Sequence, residues 1–381
     1  MTEALAESAD FTAEEIERGR ALRRAQTPPA LAGRVAGLAL ALGLGLTPAG
    51  ADLVGVVGGT WWLEALWAAA VLTVLTSAVS LPFGARVRVV RERFGLVTQG
   101  WGGWWGDVLR GLLISLPLAA GALLGLYALV RALPDTWWIA AAGAAAALSV
   151  VLSWLAPLVL EPVFNRFSPM PEGELRSALL GLAERDRIRV RDVLVADASR
   201  RTTALNAYVS GFGGTRRIVV FDTLVTTAEP REVELVVAHE LGHVKHRDVL
   251  HGTLMGALGA AAGVCALAAA VRWQPLLDAA GVDRFSDPRS AFLLVALASV
   301  LAAVAGPVGC AVSRRIERRA DAYALDLTRD PEHFIAMQRR LSVANVSDPD
   351  PPKPLHLLFG THPTAVQRIA AARAAQAARL A

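Results

Sequence analysis

Six long apolar stretches, near residues 35–52, 61–83, 109–131, 137–160, 249–271 and 291–312, constrain this chain more than any other feature. Crossing a hydrocarbon core of roughly 30 Å takes about 20 helical residues, and these stretches approach or exceed that length. The chain therefore reads as mainly α-helical and polytopic, with about six transmembrane helices. Its composition agrees: 54% of the 381 residues are hydrophobic, only 19% are charged, and the mean hydropathy is +0.42. That is too apolar for an ordinary soluble domain of this length. The first stretch is the weakest, because it is Gly-rich, carries Pro48 and meets Asp52 early. An interfacial or re-entrant helix is the competing reading there. The first thirty residues are charged and lack the apolar core of a cleavable signal peptide, so the N-terminus is expected to stay on the chain.

Arginine placement sets the expected orientation, since short loops rich in Lys and Arg stay in the cytoplasm. Arg18, Arg20, Arg23, Arg24 and Arg34 precede the first stretch; Arg86, Arg88, Arg91 and Arg93 follow the second; "SRRIERR" follows the sixth. With six spans, all three clusters lie on one side. Both termini and the segment 161–248 are then cytoplasmic, in a multi-pass protein of the plasma membrane. The net charge is only +4, and the basic residues flank apolar runs instead of forming one patch. A lipid bilayer is the expected partner, and nucleic acid is not. Cys265 and Cys310 lie in apolar stretches without a CxxC companion, which argues against both a disulfide framework and a thiolate zinc site.

Five regions follow: a cytoplasmic N-terminal segment (1–34), four spans with a cytoplasmic loop at 84–108 (35–160), a mixed polar segment (161–248), two spans (249–312) and a C-terminal cytoplasmic part (313–381). In the mixed segment, "RIRVRDVLVAD" and "RRIVVFDTL" are β-branched runs bounded by charged residues, the pattern of a small sheet.

The segment ends in "VVAHELGHVKHRD". Residues four apart share a helix face, roughly 6 Å from each other, so His239 and His243 can aim nitrogens at one ion. The spacing suits tetrahedral zinc, and Glu240 can take a proton from water at the metal without being a ligand. Such a site is built for metal-assisted hydrolysis. The preceding "EVELVVA" is apolar at helical spacing and Gly242 permits close packing, so unpaired histidines here would be costly. The bland reading is a chance match to HExxH.

A catalytic zinc needs a third protein ligand. His246 lies about 10 Å along the helix axis from His239, too far to share an ion held by the first two. His362, in "FGTHPTAVQRI", is a loop residue that could reach the site. Glu317, in "SRRIERRADAYALD", stands at the cytoplasmic end of the sixth span with Asp321 one turn on, offering a ligand and an acceptor that fixes a histidine's tautomer. Pairing of Glu317 with Arg314, Arg318 or Arg319 is the alternative.

The chain resembles the integral-membrane zinc metallopeptidases of the CAAX prenyl protease 1 type, gluzincins with HExxH followed later by ExxxD. Besides those motifs, "SLPF", "ERFGLVTQGWGGWWGD", "EPVFNRFSPMPEGEL", "LNAYVSGFGGTRRIVVFDTL" and "THPTAVQRI" carry the resemblance, from about Ser80 to Arg373. It implies a cytoplasm-facing zincin-like catalytic domain and one zinc ion per chain, held by His239, His243 and Glu317. It further implies Glu240 as general base, Asp321 orienting His239 or His243, and Asn206, Tyr208, His362 and Arg368 along the substrate cleft. An edge strand would let an extended peptide add to the sheet while Asn206 holds a carbonyl, with a plain turn residue as the alternative. Arg368 could bind a substrate carboxylate and His362 could stabilise an oxyanion; a solvated arginine and a satisfied loop histidine are the competing roles. The eukaryotic relatives arrange seven spans around a water-filled chamber, and this chain has six, the missing one on the N-terminal side.

The expected activity is hydrolysis of peptide bonds in membrane-associated, prenyl-type or misfolded proteins. A catalytically silent peptide-binding chaperone or adaptor would show a disrupted catalytic position, and none is disrupted. A zinc transporter would need ionisable residues deep within the spans, whereas the acids and histidines gather at the cytoplasmic ends.

Overall fold

A computed structural model describes residues 10–211 and 213–380. Helix α1 (Ala13–Gly45) starts at a reciprocal cap, in which Thr12 accepts from the Glu15 amide at 3.2 Å and the Glu15 carboxylate accepts from the Thr12 amide at 2.8 Å. Its 33 residues reach about 50 Å at 1.5 Å per residue, well beyond a hydrocarbon core. The expected boundary at residue 34 falls within this helix, which runs through it unbroken. Arginines mark where a helix leaves the membrane, not where it ends. Here they tie its first half to the rest of the chain: Arg18 donates to the Phe94 carbonyl at 3.1 Å and Arg23 pairs with Asp348 at 2.5 Å. The chain breaks at Leu46 and Thr47, and Pro48, suited to a first helical turn, opens a short separate helix, Pro48–Gly55.

Three further apolar helices complete the N-terminal bundle: α2 (Trp61–Arg93), α3 (Trp101–Ala132) and α4 (Trp137–Leu155). Helix α4 passes into a π-helical turn, Ala156–Leu160, where Pro157 interrupts the regular ladder.

The segment that follows is a small α/β unit. Helix α5 (Glu174–Arg185) accompanies four strands, β1 (Phe167–Pro169), β2 (Asp192–Ala196), β3 (Ala207–Ser210) and β4 (Arg217–Phe221). Their order is β1-β2-β4-β3, with β2 and β4 parallel and the outer pairs antiparallel, which leaves β3 at a free edge. The two β-branched runs supply β2 and β4, though the second strand stops at Phe221 and a short helix begins at Asp222. Helix α6 (Pro230–Lys245) carries HExxH. It begins with Pro230 in its first turn and a reciprocal cap between Glu229 and Glu232.

Helices α7 (Asp248–Ala270) and α8 (Ala291–Thr328) form the last membrane hairpin. With α1, α2, α3 and α4 extended to Phe164, they are the six helices among the described residues long and apolar enough to cross a membrane. Helix α8 continues without interruption for 38 residues, past the apolar run and through Glu317 and Asp321. Helices α9 (Pro331–Ala344), α10 (Lys353–Phe359) and α11 (Ala365–Leu380) end the chain.

The C-terminal part does not stand apart from the sheet. Val193, Ile218 and Val220 of the strands share one core with Val233, Val237 and Leu241 of α6, Ala324 of α8, Phe334 and Met337 of α9, and Ala372 of α11. This apolar core is thus discontinuous in sequence, and burial of the common surface holds α6 and the C-terminal end of α8 together.

Candidate active site

Helix α6 meets α8 at Gly242, which packs against Ala320 and the edge of the Tyr323 ring. A Cβ added to Gly242 would lie 3.0 Å from Tyr323 Cδ1 and 3.1 Å from Ala320 Cα, so glycine lets the two helices close up. The contact places Glu317 opposite both motif histidines. His239 Nε2 is 3.2 Å and His243 Nε2 is 3.6 Å from the Glu317 carboxylate, and the imidazole rings stand 4.9 Å apart at 90°. One donor atom each from His239, Glu240 and His243 lies within 4.8 Å of the others.

Each imidazole is oriented from behind. Asp321 Oδ1 lies 2.9 Å from His239 Nδ1, and Asp248 Oδ2 lies 2.9 Å from His243 Nδ1. Carboxylates at both Nδ1 positions keep the proton there and turn the Nε2 lone pairs toward Glu317. With both imidazoles neutral, acceptors face acceptors, and Glu317 Oε2 is buried with no hydrogen-bond donor. A cation between them resolves that conflict, so the donor set fits a metal ion. Burial works against charge on His239, yet Asp321 and Glu317 outweigh it and lift its pKa to about 9, the mark of a place that favours positive charge. Burial raises the Glu240 carboxyl above the ordinary carboxylate value, against the opposing pull of His239 and His243.

Asp248 escaped the sequence reading. It follows His243 by five residues, and only the left-handed turn at Arg247 (φ 56°) brings it back under that imidazole. Arg319 holds its other oxygen. Substitution of Asp248 by Ala is expected to weaken metal binding about 10- to 100-fold. Titration against a competing chelator reads this, and an unchanged affinity would remove Asp248 from the site.

The remaining candidates are distributed as follows. His362 is exposed, with Nε2 3.4 Å from Glu317 Oε2. Its loop is pinned by buried Arg314, which donates to the carbonyls of His356 (3.1 Å), Leu357 (3.4 Å) and Gly360 (2.5 Å) instead of pairing with Glu317. Arg368 is turned inward: Nε donates to Asp321 Oδ2 at 2.8 Å and Nη2 donates to Oδ1, so Asp321 takes up its fork. Asn206 is exposed at the head of edge strand β3, and its carbonyl accepts from the Phe221 amide at 3.0 Å. Tyr208 goes elsewhere. Its ring packs edge-on to Phe221 at 6.4 Å and its hydroxyl reaches Glu161 at 3.5 Å, away from the histidines. Asn206, His239, Glu240, His362 and Arg368 line one cavity of about 740 Å³, and Tyr208 is not in its wall.

A water-accessible HExxH helix completed by an acid from a membrane-crossing helix defines a membrane-embedded zinc metallopeptidase. The family model described as Peptidase family M48 matches residues 169–376, and a second, described as the CAAX prenyl protease N-terminal domain with five membrane helices, matches residues 4–166. The chain belongs to peptidase family M48, in its CAAX prenyl protease branch. Similar proteins include an "Uncharacterized metalloprotease YhfN" of Bacillus subtilis, 30% identical over 301 residues that cover 78% of this chain and 71% of that one. The CAAX prenyl protease 1 of Saccharomyces cerevisiae is 28% identical over 191 residues, 49% of this chain and 42% of its own. The crystal structure of S. mikatae Ste24p has the same fold, with a TM-score of 0.85 at 21% identity, covering 96% of this chain and 90% of that one.

Proposed function

We propose that one zinc ion per chain is held by His239, His243 and Glu317, in a plasma-membrane protein whose catalytic unit faces the cytoplasm. What carries this reading is the convergence of two imidazole Nε2 atoms on a buried, donorless carboxylate, each imidazole backed by its own acid. Zinc, when bound, supplies Lewis acidity that brings the pKa of water toward about 7 and polarises a carbonyl. Glu240 accepts the proton of the attacking water and passes it to the leaving amine. Asp321 and Asp248 hold His239 and His243 in register, and Arg368 holds Asp321. His362 hydrogen-bonds the oxyanion, Asn206 positions a substrate carbonyl, and the free edge of β3 pairs with an extended peptide. Tyr208 supports that edge from its far face through Phe221 and Glu161. The substrates are peptide segments of membrane-associated proteins, misfolded or prenyl-type, the last suggested by the relatives named CAAX prenyl protease.

Inside-out membrane vesicles test the reading. Added peptide is expected to be cut without detergent, to be spared after chelation, and to be cut again when zinc is restored at one ion per chain. Right-side-out vesicles should be silent until opened. Cleavage that survives chelation would refute the metal, and cleavage by sealed right-side-out vesicles would refute the orientation.

A further inference from the structure

Buried polar atoms without hydrogen-bond partners are rare in folded proteins, and each needs a reason. Among the described residues the orphaned side-chain atoms are Glu317 Oε2, four arginine Nε atoms, Gln338 Nε2 and Ser342 Oγ. The metal accounts for Glu317. The arginines, Arg88, Arg176, Arg201 and Arg340, all pair with carboxylates. Gln338 and Ser342 have no such explanation. They are 3% and 6% exposed, more enclosed than many of the apolar residues around them. An apolar residue at either position would avoid the cost of dehydrating an unpaired amide or hydroxyl, so folding alone does not favour them.

Their placement supplies the reason. Gln338 and Ser342 stand one turn apart on one face of α9, and both line the cavity that holds His239 and Glu240. Val236, His239 and Glu240 form the facing wall from α6. Two charged side chains of the same cavity are already matched, Asp348 with Arg23 and Arg368 with Asp321. The α9 wall therefore offers hydrogen bonds without a net charge.

We propose that Gln338 and Ser342 form a specificity subsite for an uncharged hydrogen-bonding side chain of the peptide, such as Ser, Thr, Asn or Gln, near the bond that is cut. An amide and a hydroxyl can each both donate and accept, which suits a ligand group that also does both and is poorly suited to a carboxylate or an ammonium. The proposal rests on the peptidase reading above and deepens it. Discrimination at such a site is strong because an apolar residue leaves the buried pair unsatisfied, whereas the matching residue satisfies it.

The test uses the full-length protein in vesicles and peptides that place Gln or its near-isostere norleucine at each position around the cut. Wild-type protein is expected to favour Gln at one position by about tenfold or more in kcat/KM. Gln338→Leu and, separately, Ser342→Ala are expected to bring the ratio toward parity, with metal content retained and the unfolding temperature of Gln338→Leu raised. The same peptide pairs are then bound to the Glu240→Gln protein, where the preference is read without turnover. Parity at every position in the wild type, or a preference untouched by both substitutions, would overturn the subsite and leave the pair as hosts for a buried water. Binding discrimination in the Glu240→Gln protein together with a zinc-loaded wild-type protein that cleaves none of the peptides would instead overturn the peptidase reading and leave the subsite standing.

Discussion

Glu240→Gln protein is expected to keep a full complement of metal and to lose peptide hydrolysis by roughly 10²- to 10⁴-fold. Gln has nearly the shape of Glu, so the packing of α6 against α8 at Gly242 and the two acid-backed imidazoles are left in place. Only the proton acceptor is removed. One donor atom of Glu240 lies within 4.8 Å of donor atoms of His239 and His243, so its place alone fits either a base or a ligand, and the substitution separates the two. Metal analysis and turnover of the same preparation read the two quantities together. If metal and activity fall in parallel, Glu240 is a ligand. If both survive, another group takes the proton.

Glu317→Ala is expected to empty the site, with activity at background and metal content well below one per chain. The two imidazoles share a helix and supply only two donors, while a catalytic zinc requires three from the protein. His239→Ala should do the same by removing one of the two. His362 is the complication, because its Nε2 is 3.4 Å from Glu317 Oε2 and could move inward once the carboxylate is gone. The double substitution Glu317→Ala with His362→Ala resolves this: residual metal present in the single variant and absent in the double assigns it to His362. Stoichiometric metal in the double variant would mean that the set drawn here is wrong.

Much of this is legible in the sequence. The six apolar runs have the length that lipid requires, and the HExxH spacing forces two imidazoles onto one face. Glu317 is readable as a candidate because it follows the sixth apolar run with Asp321 one turn on, a ligand and an acceptor together. Its competing role is pairing with Arg314, Arg318 or Arg319; Arg314 serves the carbonyls before His362, Arg319 serves the carboxylate of Asp248, and the ion pairs of Glu317 among the described residues are with histidines. What sequence could not give was direction. Helix α1 runs through its arginines because helical hydrogen bonding is indifferent to where the bilayer stops. Asp248 depends on one left-handed residue, Arg247. Tyr208 alternates with Ala207 and Val209, so its side chain leaves the core that those two enter and settles on Phe221 and Glu161. Gln338 and Ser342 look like ordinary polar positions on an amphipathic helix until their burial is known.

The two crossings that separate His243 from Glu317 also order events during biogenesis. A nascent chain that has emerged only as far as Lys245 already carries both imidazoles and the base, yet has no acid to complete the triad. That acid arrives only after the final hairpin has been threaded into lipid, because Glu317 is the continuation of the rod that spans it. If Glu317 is the third ligand, a chain cannot assemble the full donor set before its last two membrane helices have been made.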